Sequence, residues 1–286
     1  MFVRARCIAL PLFRHYTTAS VSLAYTKYPV KEPVGKPPLV VCHGLFGSKQ
    51  NWKSLAKAMS RRLSRDIYTL DLRNHGDSPH SNVHTYEAMA NDLVEFIRQH
   101  NLGSPALLGH SMGGKVVMTA ALRYPKLVSR LIVADIAPAH MKLSRDFDEH
   151  IEAMRAIDDA GLEKHKEADA ILARYEPDLG VRQFLLTNFK RQPEGHYQFR
   201  VPYDILASAL GNMGEFLIDE AQYSGPTRFI LGGNSPYRKP FIDNPDLPKA
   251  RFPNADVKVI EGAGHWVHAE KPDAFLHLVA DFMNNH

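Results

Sequence analysis

The chain has 286 residues, of which 44% are hydrophobic and 23% charged, and its formal net charge is +4. These are the proportions of a folded globular chain rather than a disordered one, and the length allows a sizeable core. No window approaches ~18 uninterrupted apolar residues, so no membrane-spanning helix is predicted. The two cysteines, Cys7 and Cys42, can build neither a disulfide scaffold nor a C-x-x-C zinc site, and the small charge excess gives no argument for nucleic acid.

Residues 1–31 carry Arg4, Arg6, Arg14, Lys27 and Lys31 and no carboxylate; the first is Glu32. An acid-free leader rich in Arg, Ser and Thr predicts a mitochondrial transit peptide over 1–16, cut before Thr17, followed by a lead-in over 17–36. A secretory signal is the weaker reading. Its apolar stretch would be Cys7–Phe13, which is seven residues long and broken by Pro11.

Beyond Pro37-Pro38 the chain alternates short apolar runs with helical periodicity. Leu39–Cys42 reads as a strand buried on both faces, ending in the turn His43-Gly44-Leu45-Phe46-Gly47. Trp52–Leu63 has helical character. Ile67–Leu70 is the next strand and closes in Asp71-Leu72-Arg73-Asn74-His75-Gly76. Met89, Leu93, Phe96 and Ile97 share one helix face, with Thr85 as N-cap. Further strands are predicted at Ala106–Leu108, Leu131–Ala134, Arg228–Leu231 and Val257–Ile260, and a last helix carries Phe275, Leu278, Val279 and Phe282. Strands alternating with helices predict an α/β fold with a mostly parallel central sheet flanked by helices. Residues from about 139 to 222 break this rhythm. They are charged, read as several helices, and predict a lid insertion hinged near Gly211 and Gly214.

Gly109-His110-Ser111-Met112-Gly113 is a G-x-S-x-G sequence between a predicted strand and a helix. The glycines permit a tight, strained turn that lifts the Ser111 hydroxyl above the sheet edge. A serine hydroxyl is a poor nucleophile at neutral pH and needs a base. The chain has 15 histidines, so position decides. His265, in Gly262-Ala263-Gly264-His265-Trp266, follows the last predicted strand at the same sheet edge and can reach Ser111. His110 should point away from Ser111, His268 positions the loop, and His277 lies on the surface of the last helix.

The carboxylate that orients His265 is chosen between two aspartates. The turn after Arg228–Leu231 reads Gly232-Gly233-Asn234-Ser235-Pro236 and offers no acid. Asp135 sits at the end of an apolar strand, where a carboxylate is costly without a partner, and is the first candidate. Asp204, in the lid, is the second; Asp243 and Asp246 rank below both. For the oxyanion, the predicted donors are the backbone N–H of Met112 and that of Leu45, with Phe46 as the alternative. His43 reads as a brace for its loop, and Cys42 as a strand residue. The segment Asp71–Ser78 reads as a loop tied by its own charges. Neither His80/His84 nor His265/His268 has a third metal ligand, and no phosphate-binding glycine motif occurs, so no metal or nucleotide cofactor is implied.

On the turn 43–47, the segment Asp71–Ser78, the elbow 109–113 and the loop 262–268, the chain resembles the α/β-hydrolase superfamily over nearly all of 37–286. His43–Ser48, Gly109–Lys115, Asp135–Pro138, Gly232–Ser235 and Gly264–Pro272 are more closely similar to the mitochondrial type-11 α/β-hydrolase-domain proteins, a neighbourhood that includes the fungal ethanol acetyltransferases. The resemblance implies esterase, thioesterase or alcohol acetyltransferase activity on small-molecule substrates in mitochondria, with acetyl-CoA as the acyl donor in the last case. It places the acid on the aspartate corresponding to Asp135, or in some treatments on the one corresponding to Asp204. The expected chemistry is acyl transfer through Ser111, His265 and Asp135. Two other readings are a partner-binding protein on an inherited hydrolase scaffold and C–C bond hydrolysis or lyase action by the same residues.

Overall fold

The computed structural model describes residues 19–32, 35–143, 145–216 and 221–285. The leader expected over 1–16 lies outside the described residues, as does Cys7. In chain order the first half contains β1 (Tyr25–Tyr28), β2 (Leu39–Cys42), α1 (Lys53–Leu63), β3 (Ile67–Leu70), α2 (Tyr86–Gln99), β4 (Ala106–His110), α3 (Met112–Arg123) and β5 (Arg130–Ala134). A short 3-10 turn, Lys49–Trp52, leads into α1. After β5 come α4 (Asp146–Asp159), α5 (His165–Leu172), α6 (Leu179–Leu186), β6 (Phe189–Arg191), β7 (Tyr197–Phe199) and α7 (Tyr203–Met213). The chain then returns to the sheet with β8 (Thr227–Gly232), α8 (Lys239–Asp243), β9 (Ala255–Ile260), α9 (Val267–Glu270) and α10 (Pro272–Asn285).

The main sheet has seven strands in the order β1-β3-β2-β4-β5-β8-β9. All its pairings are parallel except that of β1 with β3. Alternate residues of the central strands feed two cores. Val40, Cys42 and Leu107 pack on the face that carries Met89, Leu93 and Val116 of α2 and α3. Leu39, Val41 and Leu108 pack on the face that carries Met59, Leu63 and Phe275 of α1 and α10. Burial on both faces is why these strands read as unbroken apolar runs. Thr85 caps α2, accepting the Ala88 N–H.

Two elements differ from the expectation. The lead-in over 17–36 is not a bare connector, because its Tyr25–Tyr28 segment joins the sheet as an antiparallel edge, with Tyr25 opposite Leu70. The Val21 N–H donates to Asp92 Oδ1 at 2.8 Å and Leu23 is buried, so the folded unit begins before position 37. The lid region holds helices α4–α7 and also a small antiparallel ribbon, β6 with β7. Gly214 is not a free hinge. Its carbonyl accepts the Met141 N–H at 2.9 Å and the buried Lys115 Nζ at 2.7 Å. Gly211 lies within α7.

Candidate active site

The nucleophile position is made by the turn from β4 into α3. Ser111 has φ 54° and ψ −118°, a strained conformation for a residue with a Cβ. The turn is held by Ser111 N–H to Ala134 O at 3.0 Å and Lys115 N–H to Ser111 O at 3.2 Å. Gly113 lets the start of α3 sit against β2. A Cβ there would lie 2.5 Å from the carbonyl oxygens of both Cys42 and His43. That close approach puts Ser111 beside the turn after β2, where a Cβ on Gly44 would lie 3.3 Å from Ser111 Cβ.

The structure brings Ser111, His265 and Asp135 together. His265 Nε2 lies 3.1 Å from Ser111 Oγ, and His265 Nδ1 lies 2.7 Å from Asp135 Oδ2. Asp135 directly follows β5 with φ 53° and is fully buried. Its other oxygen accepts the Gly232 N–H at 2.8 Å, and Ser235 Oγ–H donates to Oδ2. With its carboxylate satisfied on both oxygens, Asp135 fixes the His265 ring with Nδ1–H toward the acid and Nε2 toward Ser111. Asp204 is not in this cluster. It is exposed on α7 and pairs with Arg155 Nη2 at 2.6 Å. Asp243 and Asp246 are exposed and pair with Lys239 and Lys249.

The turn 43–47 is braced by two neutral histidines. His43 Nε2 accepts the Leu72 N–H at 3.0 Å, so its Nδ1–H donates to Gly44 O at 2.8 Å. His75 Nε2 accepts the Phe46 N–H at 3.1 Å, and its Nδ1–H donates to Arg73 O at 2.9 Å. Burial pushes both imidazoles below their usual range. The Phe46 N–H is therefore committed to His75, which removes the alternative oxyanion donor. Among the described residues neither the Leu45 nor the Met112 N–H has an acceptor, and both residues border the same small cavity as Ser111. The Asp71–Ser78 segment is tied by ion pairs: Lys49 Nζ meets Asp71 and Asp77, while Arg73 grips Asp92 with contacts of 2.6 and 2.7 Å.

Beside His265 sits His110, and the His110 Nε2–H donates to the His265 carbonyl at 2.9 Å. His268 stacks on Trp52 at 4.3 Å and 7°. Burial holds His110 well below the usual imidazole range and His268 down at about 3. His265 is therefore the only one of these three rings with a carboxylate beside it. Tyr237 packs on the His265 ring at 4.4 Å; burial first, then the Asp135 charge, pushes its phenol up to about 12, so it stays neutral. Cys42 is a buried strand residue, and burial pushes its thiol up to about 12. His277 is exposed on α10.

Sequence reasoning missed Ser235, Tyr237 and Glu270. Ser235 lies in a turn that offers no acid, yet a buried carboxylate needs donors as well as its histidine. Glu270 brackets His265, accepting the N–H groups of Gly264 at 2.6 Å and Trp266 at 3.1 Å. The only available signal was its helical position five residues after His265.

These residues open into a cleft of about 330 Å³ between the sheet edge and the lid. Phe147, Val181, Phe184, Leu185, Tyr237 and Trp266 make much of its wall. Asn188 Nδ2, from the lid, donates to Phe46 O at 2.7 Å and ties the lid to the turn 43–47. Among the described residues no group of three or more His, Cys, Asp or Glu side chains could hold a metal ion. No helix among them is long and apolar enough to cross a membrane.

The chain is similar to known proteins over most of its length. A family profile described as "alpha/beta hydrolase fold" matches residues 37–161. The chain is 42% identical over 251 residues to "sn-1-specific diacylglycerol lipase ABHD11" of Mus musculus, covering 86% of this chain and 81% of that protein. It is 39% identical over 272 residues to "Probable alcohol acetyltransferase" of Saccharomyces cerevisiae, covering 88% of this chain and 78% of that protein. The solved structure "Marine microorganism esterase" superposes with a TM-score of 0.84 at 35% identity, covering 92% of this chain and all of that one. With relatives this similar over most of their length, the chain belongs to the α/β-hydrolase family.

Proposed function

We propose that this chain is a mitochondrial acyl-transfer enzyme in which Ser111 is the nucleophile, His265 the base and acid, Asp135 the orienting carboxylate, and the Leu45 and Met112 N–H groups the oxyanion donors. The family, and relatives named as esterases and lipases, support a serine hydrolase acting on small-molecule esters. The site reading is carried by one observation, the continuous line Ser111 Oγ, His265, Asp135 with spacings of 3.1 and 2.7 Å at the foot of an apolar cleft. Ser111 Oγ attacks the acyl carbon while its proton passes to His265 Nε2. The carbonyl oxygen takes the negative charge facing the Leu45 and Met112 N–H groups. When the C–O or C–S bond breaks, His265 Nε2–H returns the proton to the leaving oxygen or sulfur. The acyl-enzyme is then attacked by water or by an alcohol through the same groups in reverse.

Two features support alcohol as an acceptor and acetyl-CoA as a donor. The cleft wall is largely apolar, and exclusion of water favours attack by an alcohol. The yeast relative is named a probable alcohol acetyltransferase. The basic, acid-free leader supports mitochondrial import. The test supplies acetyl-CoA with increasing ethanol or isoamyl alcohol to protein beginning at Thr17 and to its Ser111→Ala variant. Ester that rises with alcohol in the wild type alone is the expected result. Acetate alone would reduce the proposal to a thioesterase. Ester cleavage without any turnover of acetyl-CoA would leave an ester hydrolase.

A further inference from the structure

The lid forms a second concavity, and α6 separates it from the catalytic cleft. Val181, Phe184 and Leu185 line the cleft. Leu179, Gln183 and Leu186, at i, i+4 and i+7 on the same helix, line an open groove of about 800 Å³. The two meet at Asn51, which lines both. The groove is basic. Lys166 of α5, Lys190 and Arg191 of β6, and Arg200 after β7 line it. The one carboxylate among its lining residues, Asp169, is paired with Arg182 at 2.9 Å, and Arg200 is paired with Asp77 at 3.1 Å. Lys166, Lys190 and Arg191 are exposed, and among the described residues none of them is in an ion pair. Three such cations around one concavity repel each other and contribute nothing to the fold, but they attract a polyanion. The groove also offers aromatic surface. Tyr197 and His165 line it, and Tyr197 stacks on Phe189 at 5.3 Å and 27°. His165 Nε2–H donates to Leu186 O at 3.2 Å, which fixes that ring 6.0 Å from Tyr197.

We infer that this groove binds the nucleotide end of coenzyme A thioesters. Lys166, Lys190 and Arg191 meet the phosphates, and Tyr197 and His165 give the adenine a surface to stack on. The pantetheine arm passes Asn51 into the cleft and carries the acyl group to Ser111. Side chains make all of these contacts, so no glycine-rich phosphate loop is needed. A lipid headgroup would use the cations and leave the rings idle, and a membrane surface has no use for a concavity behind a helix. This inference rests on the reading of acetyl-CoA as an acyl donor to Ser111.

The test compares kcat/KM for acetyl-CoA with that for S-acetyl-N-acetylcysteamine, the same thioester without its nucleotide. The wild type is expected to favour acetyl-CoA by at least about tenfold, the scale of two solvated charge contacts. In the double variant Lys166→Glu/Lys190→Glu this ratio should fall by about tenfold, through the KM for acetyl-CoA. Lys126→Glu, outside the groove, should leave the ratio within about twofold of wild type, which separates a local contact from general attraction. ADP should compete with acetyl-CoA in the wild type and about tenfold more weakly in the double variant. A wild-type ratio near one would overturn the inference, as would a ratio that the double variant leaves unchanged. A double variant that keeps its ratio but no longer binds phosphatidylglycerol vesicles would overturn it in favour of a membrane-facing surface. Failure of the donor reading looks different: the wild type would cleave phenyl acetate, Ser111→Ala would not, and neither thioester would turn over. Calorimetry with coenzyme A then decides, since binding weakened about tenfold in the double variant keeps the groove as the nucleotide site and no binding removes it.

Discussion

Asp135 holds its two oxygens against three donors, His265 Nδ1–H, Ser235 Oγ–H and the Gly232 N–H. Replacing the carboxylate by an amide keeps the shape but offers an N–H where His265 needs an acceptor, which favours the wrong tautomer. Asp135→Asn is therefore expected to lower kcat by about 10³–10⁴-fold with little change in KM. Asp204→Asn, at an exposed ion pair with Arg155, should stay within about twofold of wild type. Steady-state kinetics on one ester separates the two, and near-normal turnover by Asp135→Asn would return the acid's role to another residue. Asp135 could be picked out in the sequence because a carboxylate on an apolar strand end demands a partner. Ser235 and Tyr237 could not, since their roles depend on which loops meet across the sheet edge, and local spacing does not carry that.

The elements that place the site are β4, α3 and the turn after β2. Their contact is close enough that backbone meets backbone at Gly113. Gly113→Ala pushes a methyl into the carbonyls of Cys42 and His43, which no side-chain rotation can relieve. The expected cost is about 3 kcal/mol, with a melting temperature lower by about 6–10 °C and weakened activity, read by calorimetry and an ester assay. A variant that melts with the wild type would mean that the contact is looser than the structure gives. The central strands were legible because burial on both faces leaves unbroken apolar runs such as Leu39–Cys42. Strand β1 was not, because Tyr25-Thr26-Lys27-Tyr28 lies at an edge with every residue at least partly exposed. The β6–β7 ribbon was hidden because each strand is three residues long, too short to show an alternation.

Across the whole molecule, burial keeps several histidines neutral. His43, His75 and His110 are pushed below the usual range, His84 to about 4 and His268 to about 3. Each takes up a proton on unfolding once the pH drops below its unfolded value of about 6.5. The unfolded state then binds more protons than the folded one, so stability must fall as pH falls. The slope can reach about 1.4 kcal/mol per pH unit for each such group. Carboxylates whose pKa is lowered, such as Asp66 and Asp77, act only below about 4, and Asp158, raised by burial, acts in the opposite sense, so a decline from 6.5 to 4.5 reports on the histidines. Urea midpoints should decline steeply from pH 7 to pH 4.5; a level profile over that range would mean that these rings are protonated in the fold. The acyl-transfer reading depends most directly on Ser111, and a fluorophosphonate probe tests it in one step. Intact-mass and peptide analysis of the folded protein should find a single adduct on Ser111, lost in Ser111→Ala and slowed in Asp135→Asn. An unlabelled Ser111 in folded protein would contradict it.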